Sequence, residues 1–132
     1  MDNAGTFAIA TPQIGAAMTQ KIISPIVGLN GMSGVTLTMN FKFGSGSGTV
    51  TPIVATSLDG GTVWYQIARW DLTNASVLKW CNIAAVPAGI ASYADLAAEG
   101  FTNGLLGDQL ALFLAVTGSY QNTTLDVRAS VR

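Results

Sequence analysis

The chain has 132 residues, one cysteine and no histidine, and only 10% of its residues are charged, with a net charge of −1. Without histidine there is no imidazole to act as a general base near neutral pH or to ligate a metal, and one cysteine makes neither an internal disulfide nor a thiolate cluster. Six scattered basic residues (Lys21, Lys42, Arg69, Lys79, Arg128, Arg132) form no concentrated cationic face for nucleic acid.

In chain order, residues 1–20 mix Gly, Ala, Thr, Pro and Asn around a single charge, Asp2, and are expected to form an extended arm or irregular lead-in. They hold no basic segment followed by an apolar run, so no secretory signal is expected. Residues 21–27 give a first strand. The uncharged run 22–41 is broken by Ser24, Pro25, Gly28, Asn30, Gly31, Ser33 and Gly34 and does not read as a membrane span, despite a mean hydropathy of +0.43.

From Gly34 a period of two is plain. Val35, Leu37, Met39, Phe41 and Phe43 alternate with Thr36, Thr38, Asn40 and Lys42, which predicts a half-buried strand. Gly44-Ser45-Gly46-Ser47-Gly48 predicts a hairpin loop, and 49–57 a second strand whose Pro52 implies an edge position or a bulge. After a turn at Asp59-Gly60-Gly61, residues 62–71 read as a strand with aromatics on both faces. Residues 75–81 form another, with Leu78 and Trp80 opposite Val77, Lys79 and Cys81.

The Ala- and Gly-rich stretch 82–107, with Pro87 and Gly89, is a long connection in which Ser92 and Asp95 suggest a capped helical turn over 93–98. Two strands close the chain. Leu110, Leu112, Leu114 and Val116 lie in one that looks buried on both faces. Leu125, Val127, Ala129 and Val131 alternate with Asp126, Arg128, Ser130 and Arg132 in the other, whose charged side is expected to meet water. Seven or eight such strands with almost no helix predict one all-β domain over 21–132 behind the 1–20 lead-in, an antiparallel β-sandwich of jelly-roll-like or immunoglobulin-like type, and the missing Cys…Trp…Cys spacing argues against a true immunoglobulin domain.

Ser57-Leu58-Asp59-Gly60-Gly61-Thr62-Val63-Trp64 resembles the Asp-box hairpin of sialidases and other propellers, with Val63 where that motif has threonine. In those families it stabilises a hairpin and lies away from catalysis. Ser57, Asp59, Gly61 and Trp64 are therefore read as a structural turn, in which the aspartate accepts turn N–H groups and the tryptophan packs beneath. The seven carboxylates offer no spacing that selects a catalytic pair, and no calcium-loop or nucleophile-elbow pattern occurs. No cofactor, metal or enzymatic activity is expected.

The scarcity of charge suggests a surface that meets partners. Trp70, Trp80, Tyr93, Phe101 and Phe113 are the candidate interface residues, together with the 1–20 arm and the 82–107 loop. Thr36, Thr38 and Asn40 on one strand, and Ala111, Phe113 and Ala115 on another, mark candidate contact faces. A platform of Trp64, Tyr65, Trp70 and Trp80 that stacks on sugar is the alternative.

Four stretches, 56–64, 67–70, 104–110 and 117–128, resemble small proteins from the structural gene clusters of tailed bacteriophages and prophages, some of which are jelly-roll capsid cement proteins. The resemblance implies a virion protein on the outer capsid surface, whose partners are the major capsid protein and further copies of itself, as a dimer or trimer. A tail- or fibre-borne carbohydrate- or receptor-binding module and a head–tail connector component are the other readings it leaves.

Overall fold

Strand pairing in this chain follows its period-two apolar rows, and the computed structural model describes it over residues 5–15, 18–29, 31–85 and 90–132. Among the described residues there are ten strands and no helix: β1 Gly5–Ala10, β2 Gln13–Ile14, β3 Met18–Ile26, β4 Gly34–Lys42, β5 Ser45–Ser57, β6 Tyr65–Arg69, β7 Val77–Ala84, β8 Gly100–Phe101, β9 Gln109–Gln121 and β10 Thr123–Val131. All pairings are antiparallel. One sheet runs β1-β10-β4-β7, with β2 also on β10; the other runs β3-β9-β5-β6-β8.

Set aside the two-residue strands β2 and β8, and eight strands remain. One sheet then holds the first, eighth, third and sixth of them, and the other the second, seventh, fourth and fifth. This interleaving is the jelly-roll order, with two Greek keys wrapped into a sandwich.

The core is built from four facing rows. Val35, Leu37, Met39 and Phe41 of β4, and Leu125, Val127, Ala129 and Val131 of β10, point at Leu110, Leu112, Leu114 and Val116 of β9 and at Val50 and Val54 of β5; all are buried. A fully buried side chain of this size contributes roughly 1.5–3 kcal/mol. Phe41 meets Tyr120 edge-on at 6.4 Å, and the Tyr120 hydroxyl donates to the Thr73 carbonyl at 3.0 Å.

Several expectations change in three dimensions. The lead-in is not irregular where it is described: β1 pairs with β10 from Gly5↔Val131 to Ala10↔Val127, and β2 extends the same edge. Ile9 and Ile14 are buried, so this segment is part of the core. Residues 1–4, 16 and 17 lie outside the described residues.

Gly44–Gly48 is not a hairpin loop. Strands β4 and β5 belong to different sheets, and Ser45–Gly48 already pairs with β9, Gly48 lying directly opposite Gly118. Both glycines have positive φ (134° and 74°), and a Cβ on either would run into the carbonyl oxygen of the opposing strand.

Pro52 is not on an edge, since β5 lies between β9 and β6. Its carbonyl accepts the Trp70 N–H at 3.1 Å, so its missing donor faces the gap between β6 and the isolated Val50↔Leu72 bridge. The ladder is interrupted there, and proline is accommodated.

The bulge falls elsewhere, at the shift between Val54↔Ala68 and Ala55↔Gln66. It buries Ile67 and Ala68 together, against the strict alternation expected over 62–71.

The helical turn over 93–98 does not form. The Leu96 N–H donates to Gln66 Oε1 at 2.8 Å and its carbonyl accepts from Arg69 Nη1 at 2.7 Å, so this backbone is used on β6 rather than on itself. Pro87 and Gly89 lie outside the described residues.

Candidate binding surfaces

A turn closed by side-chain hydrogen bonds begins where β5 ends. Ser57 is buried; its Oγ donates to Asp59 Oδ1 at 2.9 Å and accepts the Gly61 N–H at 2.9 Å. Asp59 Oδ1 also accepts the N–H groups of Val63 at 2.9 Å and Thr62 at 3.1 Å. Gly60 and Gly61 carry φ of 76° and 99°, as the reversal requires. The half-buried Trp64 then packs edge-to-face on Phe113, centroids 5.9 Å apart.

The Val63 N–H and next the Ser57 hydroxyl hold the Asp59 carboxyl below its ordinary value. A depressed folded-state pKa means that this stabilisation is complete above the ordinary aspartate value, about 4, and fades as pH falls through the folded value. Asp59→Asn should therefore melt at lower temperature than the parent at pH 7. That gap should close as pH falls toward about 2, because the protonated carboxyl loses the same advantage. Thermal melts across that range check it, and a gap that stays constant would show that the charge on Asp59 adds nothing.

A second surface covers the outer side of the β5–β9 sheet. Cross-strand pairing aligns Ile22, Phe113, Ile53 and Arg69 in one row, and Ala111, Ala55 and Gln66 in the next. Ile53, Ala55 and Ala111 are buried although they face away from the core, and Ala55 shares a cleft with Trp64 and Asp95. A cleft of about 150 Å³ remains, lined by Ala55, Trp64, Gln66, Asp95 and Phe113. Tyr93 stands beside it: its ring is edge-on to Tyr65 at 5.0 Å, and its hydroxyl accepts the Gln66 N–H at 2.6 Å and donates to Asp95 at 2.8 Å. Desolvation is the largest influence on that phenol and raises its pKa.

The third surface is the open seam between the edge of β7 and β8. A groove of about 260 Å³ is lined by Trp70, Trp80, Cys81 and Phe101 with Arg69, Lys79 and Glu99. Lys79 Nζ reaches both Glu99 oxygens at 2.8 and 2.9 Å, and Arg69 Nε meets Asp71 at 2.9 Å. Asp71 and Glu99 each accept the other's backbone N–H. Such partly exposed ion pairs contribute about 0–1 kcal/mol apiece, so they orient the seam more than they stabilise the fold. Burial pushes the Cys81 thiol up to about 11, which keeps it protonated and unreactive near neutral pH.

The five candidate interface residues thus scatter. Trp80 (65% exposed) and Phe101 (53%) share the seam, whereas Tyr93 and Phe113 lie on the outer side of the other sheet. Trp70 is 4% exposed and belongs to the core, because the β6 bulge turns it inward. Trp70 and Trp80 line the same groove, but Trp64 lies at the other cleft and Tyr65 packs on Tyr93, so the four aromatics do not form one platform.

Leu78, 67% exposed and two residues before Trp80, joins the exposed apolar residues of β7 beyond the five candidates. Its period-two relation to Trp80 was the available signal. A further correction concerns the outer side of the β4–β10 sheet. Thr36, Thr38 and Asn40 pair directly with Ser130, Arg128 and Asp126, so the expected contact strand and the expected water-facing strand share one surface.

Among the described residues no three Cys, Asp or Glu side chains gather as a metal-binding group, and no helix is long and apolar enough to cross a membrane. Comparison of the chain with protein-family models, curated proteins and solved structures found no match.

Proposed function

We propose that this protein is a virion structural component of a tailed phage, a decoration protein that binds the outer surface of the major capsid shell and ties neighbouring subunits together. The observation that carries this reading is the seam, where Leu78, Trp80 and Phe101 are exposed on the edge of a stiff jelly roll in a chain with only 10% charge. Large aromatic side chains set in a groove are what protein interfaces use as anchors. The resemblance of residues 56–64, 67–70, 104–110 and 117–128 to phage structural proteins supplies the partner.

Binding to shells assembled from the accompanying major capsid protein tests the reading. The expected result is saturable uptake at on the order of hundreds of copies per particle, as a symmetric shell offers, with greater resistance to heat and osmotic shock. Particles that lack the chain and keep full resistance would sink it. A handful of copies per virion would point instead to a connector or fibre.

A further inference from the structure

β7 is an edge strand whose defences against pairing are few: Lys79 on its inner row, held by Glu99, and the Asn103–Gly104 cap at Ala84. Its eight pairs to β4, from Gly34↔Ala84 to Phe41↔Val77, run without a bulge, and it contains no proline. The direction of its hydrogen-bonding groups follows from its neighbours. Gly34 uses its N–H and carbonyl on Arg132, so even-numbered positions of β4 bond toward β10 and odd-numbered positions toward β7. The β7 residues opposite those even positions therefore turn their backbone groups outward. Ala84 does so: its N–H donates to Asn103 Oδ1 and its carbonyl accepts the Gly104 N–H, which closes that end of the edge. Leu78, Trp80 and Asn82 have the same parity, and nothing described caps them.

This open stretch has a centre of symmetry. Between the start of the strand at Val77 and the closed Ala84, its outward-bonding residues are Leu78, Trp80 and Asn82, of which Trp80 is the middle one.

We propose that a second copy of this chain pairs with it, β7 against β7, antiparallel about a two-fold axis at Trp80. Leu78 then lies opposite Asn82 of the other copy and Trp80 opposite its equivalent. Each outward N–H and carbonyl of the three residues meets its complement.

The charges allow it. On the inner row Lys79 falls opposite Cys81, and each copy neutralises its own Lys79 with Glu99, so no like charges stand directly opposed. The net charge of −1 adds little repulsion at long range. Trp80 packs beside its equivalent at the axis and Leu78 beside Asn82 of the other copy, and the β4–β10 sheet continues from one protomer into the next. Leu78 and Trp80 are also the anchors of the capsid reading, so a second copy and a shell compete for this edge, and self-association, measured without capsid protein, fails or succeeds independently of that reading.

Sedimentation equilibrium from about 1 to 100 µM tests it. The wild type should dimerise reversibly in that range. Trp80→Lys should weaken the dimer at least about tenfold by placing two cations face to face at the axis. Asn82→Pro removes an N–H that points away from β4 and should also weaken it at least about tenfold while circular dichroism stays that of the β fold. Asn82→Ala keeps that N–H and should remain dimeric. A wild type that is monomeric throughout overturns the proposal, as does a dimer that survives both Trp80→Lys and Asn82→Pro.

Discussion

Gly107→Ala is expected to cost about 3 kcal/mol or more of folding stability, because the new Cβ has nowhere to go. It would fall on the carbonyl oxygen of Ser57, which is backbone and cannot swing aside. The surroundings are rigid. The Gly107 N–H donates to Thr56 Oγ1 at 2.8 Å, that hydroxyl donates to the Gln109 carbonyl at 2.9 Å, and the Asp108 N–H donates to the Ser57 carbonyl at 2.9 Å. Thr56 and Ser57 are fully buried. Relief of the clash must move either the end of β5, which carries the Asp59 turn, or the start of β9.

Urea denaturation measures the loss, and a change under about 0.5 kcal/mol would show that the two segments separate easily. Gly60→Ala is the useful contrast. That site opens on free space at φ 76°, so only the left-handed conformation opposes the substitution, at roughly 1–2 kcal/mol.

The second large effect separates two tryptophans that look alike in the sequence. Trp70→Ala should lower stability by about 3–5 kcal/mol, the usual cost of emptying a buried aromatic site. Trp80→Ala, measured at concentrations where the chain is monomeric, should stay within about 0.5 kcal/mol of the parent. Trp70 is in the core, beside the break in the ladder at Pro52, while Trp80 is 65% exposed on β7. In binding assays the order should reverse: Trp80→Ala loses association while it remains folded, and Trp70→Ala loses it only to the extent that the chain unfolds. Equal stability losses from the two substitutions would contradict the assignment of one to core and the other to surface.

Parts of the fold were readable because their causes are local. β4 and β10 each have one buried and one wetted side, and Val35 to Phe41 and Leu125 to Val131 show that directly as alternation. The Asp59 turn was readable for the same reason, since every hydrogen bond that shapes it closes between Ser57 and Val63. Other parts have distant causes. Gly44 to Gly48 looks like a flexible loop until Thr117 to Gln121 is placed against it. The 93–98 segment looks like a helix start until Gln66 and Arg69 take its backbone groups.

The sequence by itself determined the β-sandwich, its inward rows, the Asp59 hairpin and the absence of histidine chemistry. Each of these rests on side-chain type and on spacing within a few residues. Only the tertiary structure decided which aromatics are available to a partner. Burial depends on what the chain brings back from far away: one bulge in β6 turns Trp70 inward, and Trp64 and Asp95 come together beside Ala55. It also decided that β1 and β7 form the two edges of one sheet, because β1 folds onto β10 on one side while Leu78, Trp80 and Asn82 have no strand paired beside them on the other.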